Sequence, residues 1–278
     1  VQAIKYKWLS VNGTMEPFLF AHDGKEIKRI DLFSNTFSLS IGRKTCIGYF
    51  HEGKHVSCPN RREISGEWHC NECKLNDDFF LCMKCTGEEC INDKQRSSCE
   101  ANMYFVYLAA FNSLLKVGIS YHFRLLERLI EQGADFAAKI ACVKDGKEVR
   151  LVEQEIKNYL NIQDKVAGDE KYRMLFGNPN LAVANIVQAL SNLRNNGVSK
   201  YMVPTEVYDL RSYYHLNNVP YMPEKLHIKD NTRLSGTCVA AKGNILVFRN
   251  ENRFFSVNAH EMIGRELLFA TKSITGNA

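Results

Sequence analysis

The amino-acid sequence predicts an α+β/α/β chain in three kinds of pieces: a cysteine-rich metal module, a small antiparallel sheet with helices, and a C-terminal small β-barrel or sandwich. Three observations predict it. Eight of the ten cysteines fall between Cys46 and Cys99. Two apolar runs within 104–119 lead into segments whose apolar residues recur at helical spacing. Short aromatic and β-branched runs, separated by turn residues, occupy both ends of the chain. The regions are expected at 1–45, 46–103, 104–197 and 198–278, and the strands of the first can pair with those of the last.

Bulk properties narrow the classes. The chain has 278 residues, 45% apolar and 24% charged, which is ordinary globular composition. No apolar run approaches the ~18–20 residues of a membrane span, so no membrane partner is expected. The opening VQAIKYKWLSVNG lacks the apolar core and cleavage site of a secretion signal. A cytoplasmic location is therefore expected, with thiols kept reduced. The net charge is +5 and the pI about 8.6. A nucleic-acid domain recognised by charge alone has a pI above ~9, so any basic footprint must be local.

The elements follow in order. KYKWLSV, PFLFA and TFSLSI read as strands, with a tight turn at HDGK (22–25). Residues 46–103 have little periodicity and need a staple to hold a shape. YFVYLA (104–109) and LLKVGI (114–119) read as a hairpin across AFNS. HFRLLERLIEQ (122–132) reads as a helix with Leu125, Leu126, Leu129 and Ile130 on its apolar face and Gly133 as its stop. KIACV (139–143) reads as a third strand. Asp145 and Glu148 suit a capping box for a helix to about Leu160, whose buried stripe is Val149, Val152, Ile156 and Tyr159 or Leu160. A further helix is expected over 181–195, stopped by Gly197. The last region has short strands with turns at AKGN and RNEN.

The cysteines are Cys46, Cys58, Cys70, Cys73, Cys82, Cys85, Cys90 and Cys99; Cys142 and Cys238 stand alone. Two pairs have C-x-x-C spacing, which lets two thiolates from one turn reach one ion at ~2.3 Å. A sequential division puts Cys46, Cys58, Cys70 and Cys73 on one zinc and Cys82, Cys85, Cys90 and Cys99 on a second; an interleaved division and an iron–sulfur cluster are the alternatives. His51, His55 and His69 are possible substitutes for a cysteine, or plain loop histidines. Four-thiolate sites leave no open position, so the metal is expected to be structural.

The run V-Y-L-A, then K-V-G, then a helix with Arg128, then a helix with Glu153 resembles the GIY-YIG nuclease superfamily. LLKVGIS, ERLIEQGA and the upstream cysteines together resemble a prokaryotic cysteine-rich family of unknown function that contains a GIY-YIG-like domain. The resemblance implies a catalytic set of Tyr107, Lys116, Arg128 and Glu153. Lys116 stands where the superfamily has tyrosine, and Glu155 competes with Glu153. Lys116, Arg124 and Arg128 would bind phosphate, and Glu153 would hold magnesium or manganese. Each residue also has a plainer reading: a packed strand aromatic, a solvated lysine, an amphipathic helix face, a surface ion pair with Lys157.

Three functions follow. The first is a zinc-containing nucleic-acid-binding protein, acting on RNA or DNA. The second is a divalent-metal-dependent phosphodiesterase using Tyr107, Arg128 and Glu153. The third is a thiolate-based interaction or redox-sensing protein. Arg249, Arg253, Phe254 and Phe255 would suit stacking and phosphate contact, or form a buried strand with turn arginines. No phosphate-cradling G-x-x-x-x-G-K loop is present.

Overall fold

The computed structural model describes residues 1–33, 35–194 and 197–270. Asn195, the expected end of one helix, and residues 271–278 of the C-terminal region lie outside them. The chain forms two compact units, 1–77 with 213–278, and 78–212. The boundary falls inside the cysteine-rich stretch and divides its eight cysteines four and four. No described helix is long and apolar enough to cross a membrane.

The first unit is built on a nine-stranded sheet. Strands near both chain ends share it. Gln2–Val11 pairs with Thr14–His22 on one side and Arg265–Phe269 on the other, and Thr36–Lys44 lies between Arg265–Phe269 and Arg233–Lys242. The strands of 233–269 thus make no sheet of their own. The first hairpin turns at Asn12-Gly13, both with positive φ, which is the backbone that Asn-Gly supplies most easily. Ile27–Asp31 is an edge strand whose exposed charges carry no apolar alternation, which hides it from pattern reading. Trp8 and Tyr6 are buried, and their N–H and O–H groups both donate to the Gly243 carbonyl, at 2.9 and 2.6 Å. A buried indole or phenol needs such a partner, and here one turn satisfies two.

The second unit is a four-stranded antiparallel sheet in the order Met202–Asp209, Phe136–Lys144, Met103–Phe111, Leu114–Tyr121. The hairpin turns at Asn112, whose φ is +53°. Met202–Asp209 is the edge strand; it carries Pro204, which only an edge or an irregularity tolerates, and its register shifts between Met202 and Glu206.

Alternation sends Tyr104, Val106, Leu108 and Ala110 to one face. There they pack with Val149, Val152 and Ile156 of helix Gly146–Leu160 and with Ala182, Ile186 and Ala189 of helix Pro179–Leu193. A register shift in the partner strand lets both Ile140 and Ala141 join this core. Helix Leu125–Gln132 packs on the hairpin. It ends at Gly133 with φ +76°, the left-handed stop that glycine permits. Its expected apolar stripe is buried except for Leu126; in the longer helix Leu160 is half-buried and Tyr159 exposed.

The expected capping box is half formed. Asp145 accepts from the Lys147 amide at 2.9 Å, but Glu148 accepts from the Tyr201 hydroxyl instead of reaching back. Asp145 is also gripped by both guanidinium nitrogens of Arg96, at 2.6 Å each. That pair holds its carboxyl below the usual range.

Candidate functional site

Four cysteines meet in the first unit. Cys46 follows the strand Thr36–Lys44, Cys58 follows the small hairpin Tyr49–His51 with Lys54–Val56, Cys70 caps the helix Asn71–Asn76, and Cys73 lies in its first turn. Their ligand atoms all lie within 4.8 Å of one another, and all four residues are buried. Tetrahedral ligands at about 2.3 Å from an ion stand about 3.8 Å apart. The Cys58 and Cys70 sulfurs are 4.0 Å apart.

Backbone amides already point at sulfur, as thiolate ligands require. Those of Gly48 and Cys70 donate to Cys46 at 3.4 and 3.1 Å. Gly48 has φ +86°, and a Cβ there would collide with the Val56 carbonyl, so the loop depends on this glycine. Burial pushes the Cys73 and Cys46 thiols up. Burial would raise Cys58 too, but backbone hydrogen bonds from Arg62 and Asn60 leave it lowered. Thiols held this way, buried and mutually repelling when ionised, fit a zinc ion that would neutralise them.

The histidines do not substitute for cysteine. His55 donates to the Ile47 carbonyl at 2.5 Å and His69 to the Gly48 carbonyl at 2.7 Å, so both brace the loop that follows Cys46. His51 is exposed.

Cys82, Cys85, Cys90 and Cys99 belong to the second unit and are half-buried. They do not converge as the first four do: among the described residues, only the first set forms a metal-holding group. Cys82 accepts from the Asn92 side-chain amide at 3.2 Å and lies within electrostatic reach of Cys85 and Cys99. The stretch carrying them is tied to the domain by Arg96 on Asp145 and by Arg150, which donates to the Cys82 carbonyl at 3.0 Å.

The hairpin and the helix behind it build a second constellation. Tyr107 pairs across the strands with Gly118, and Ala109 with Lys116. Tyr107 is wholly buried, and its hydroxyl lies beside the Arg128 guanidinium without a well-formed hydrogen bond. A Cβ on Gly118 would sit 2.5 Å from that hydroxyl, so glycine is what lets the ring lie flat across the neighbouring strand. Lys116, 4% exposed, donates to Gln132 at 2.8 Å. The Arg128 guanidinium acts on Tyr107 and Lys116, and Glu153, half-buried on helix Gly146–Leu160, acts on both as well. The four residues singled out in the sequence therefore lie within electrostatic reach of one another. Glu155 is exposed.

The site is crowded with positive charge. Burial, then Arg128, lowers Lys116 to about 8. Burial, then Lys116 and Arg128, lowers Lys171 to about 7. Burial raises the Tyr107 phenol, with Arg128 opposing, and so keeps it neutral. Burial also raises Glu153, with Lys116 opposing. Lys116, Arg128 and Lys171 share the site with the carboxylates Glu131, Glu153 and Asp164, and Arg128 lies 3.7 Å from Glu131. Burial and mutual repulsion still outweigh these carboxylates at Lys116 and Lys171, and an anion would relieve both.

Arg124 is tied to Glu127 and Glu131, at 3.1 and 3.4 Å. Phe255 stacks on Phe248, Phe254 packs edge-on against Tyr221, and both are half-buried, while Arg249 and Arg253 are exposed beside the turn. Those aromatics are packing groups of the first unit. Sequence reading missed Gln132 and Lys171. Gln132 had a signal, standing one turn after Arg128 on the same helix; Lys171, on the short helix Gly168–Arg173, had none.

No curated protein matches the chain, and no solved structure does. One family model does, over residues 37–267, which reach from the first unit through the whole of the second and back. The chain belongs to the family described as Protein of unknown function (DUF2797).

Proposed function

We propose that unit 78–212 is a GIY-YIG-like domain that binds the phosphates of nucleic acid, and that unit 1–77 with 213–278 carries a structural zinc. One observation carries the reading: burial and mutual repulsion among Lys116, Arg128 and Lys171 lower both lysines, and Arg128 also acts on the buried Tyr107 hydroxyl. Holding cations together away from water costs stability, so the arrangement suits a ligand that supplies negative oxygen atoms. Strand, strand, arginine helix and glutamate helix come in the superfamily's order and support the resemblance. The test is binding of RNA and DNA across a salt series. Affinity should fall steeply with salt, and Arg128→Ala should reduce the logarithmic slope by about one. Binding that is absent, or indifferent to salt, would sink the proposal.

A second reading, phosphodiester cleavage, is favoured by Lys116. Its basicity, lowered to about 8, leaves a neutral amine fraction near neutral pH. A lysine so tuned can accept a proton, here from an attacking water, as the superfamily's tyrosine would. Glu153 offers one carboxylate, which fits magnesium or manganese arriving with the substrate's phosphate rather than a preformed cage. Glu153→Ala should then abolish cleavage while phosphate binding persists.

The second cysteine set is proposed as a further structural zinc site, supported by its C-x-x-C pair and the proximity of Cys82, Cys85 and Cys99. Metal analysis should find two zinc ions per chain; one would confine zinc to the first unit. Redox sensing suits the first set poorly, since sensor thiols are accessible.

A further inference from the structure

A hollow lies between the stretch carrying Phe79 and Ser98 and the open end of the hairpin, wholly within the second unit. It encloses about 220 Å³. Drug-sized ligands fill roughly 300–1,000 Å³, so this space suits a smaller, flat group. Phe79 and Tyr121 line it, and Tyr121 is itself fixed by packing against Tyr104 and Phe123, with ring centres 4.8 and 5.4 Å away. Gln95 and Ser98 supply an amide and a hydroxyl, Arg124 and Arg128 supply guanidinium groups, Cys82 and Cys99 border it from the second cysteine set, and no carboxylate lines it. Arg128 also belongs to the phosphate site, so the hollow and that site share a wall.

We propose that this hollow takes one unpaired nucleobase, stacked on Phe79 with Tyr121 walling its edge, while its phosphate rests on Arg128. Every base has a π face that stacks on an aromatic ring, and amide and hydroxyl groups can pair with its edge. Arg128 places the base beside the phosphate it belongs to. A base inside a duplex is paired and stacked and cannot enter a hollow of this size. The site therefore selects single strands, loops or ends over duplex. This inference rests on the phosphate-binding reading above and adds the strand state of the ligand to it.

The test uses the full chain with its zinc, a fluorescently labelled oligoadenylate, and the same strand annealed to its complement. The single strand should bind at least about tenfold more tightly, since losing one stacked base costs about that much or more. Phe79→Ala, at a side chain 48% exposed, should erase the difference without changing the melting temperature, and Phe79→Trp should keep it. Equal, salt-dependent binding of both forms would overturn the base site and leave the phosphate reading standing. Binding of neither form would overturn both. A Phe79→Ala variant that still prefers the single strand would also overturn the assignment. Competition by adenosine monophosphate would extend the site to free nucleotides; preference without competition would confine it to nucleotides within a strand.

Discussion

The two cysteine sets look alike in sequence, each with one C-x-x-C pair and two outlying cysteines, yet the fold treats them oppositely. Cys46, Cys58, Cys70 and Cys73 are buried within 4.8 Å of one another, receive backbone amides, and sit in a loop braced by two histidines. Cys82, Cys85, Cys90 and Cys99 are half-exposed and strapped by arginines to the domain that carries the cationic site. Spacing decides which sulfurs can share an ion. Surroundings decide whether the site is a closed staple or a flap beside a binding surface. The first set ends in its own geometry; the second is continuous with the residues that could contact a ligand.

The largest expected effect separates the two sets. Cys73→Ser, or chelation, should remove a zinc and unfold the first unit, because structural zinc binding supplies about 10–16 kcal/mol, as much as a domain's whole stability. Cys85→Ser should leave the first unit's melting unchanged; a joint collapse would break the distinction. Next in size is Gly118→Ala. Its methyl would press on the Tyr107 hydroxyl, and overpacking of this kind costs about 1–3 kcal/mol, read from denaturant unfolding.

Tyr107→Phe should act in the other direction. Removing a buried hydroxyl that makes no well-formed hydrogen bond should leave stability unchanged or raise it by about 1 kcal/mol, while any cleavage falls. Loss of stability would mean that the hydroxyl is satisfied and that the second unit holds no unmet polar group there. The smallest effect is in pH. Lys171 and Lys116 lose their charge as pH rises through about 7 and about 8, with Arg128, Glu131, Glu153, Asp164 and Lys165 as their charged neighbours. Oligonucleotide affinity should fall by about tenfold, ~1.4 kcal/mol, across that window. Folding of the free chain has the opposite sign. Both lysines titrate lower folded than at their ordinary 10.5, so their penalty is full below about 7 and lifts as pH climbs toward 10.5.

Local chemistry was legible where it repeats at short range. The hairpin at AFNS, the Gly133 stop, the stripe Val149, Val152 and Ile156, and the four cysteines of the first set could all be read from spacing. The strand at 27–31 was not, because an edge strand rich in charge shows no apolar alternation. The capping role of Glu148 was not, because Tyr201 competes for it from far along the chain.

By itself the sequence determined that cysteines stood at metal-ligand spacing, that a hairpin would precede two amphipathic helices, and which residue types stood at their motif positions. Only the tertiary structure decided that the cysteine stretch divides between two units, that the first and last regions, whose pairing the sequence left open, share one sheet, and that Lys171 and Gln132 join Lys116. Those outcomes depend on contacts between residues distant along the chain, which leave no period in the sequence. The charge on Lys116 is the clearest case. A lysine in K-V-G is ordinary until burial and Arg128 surround it, and only then does it become an amine poised near neutrality.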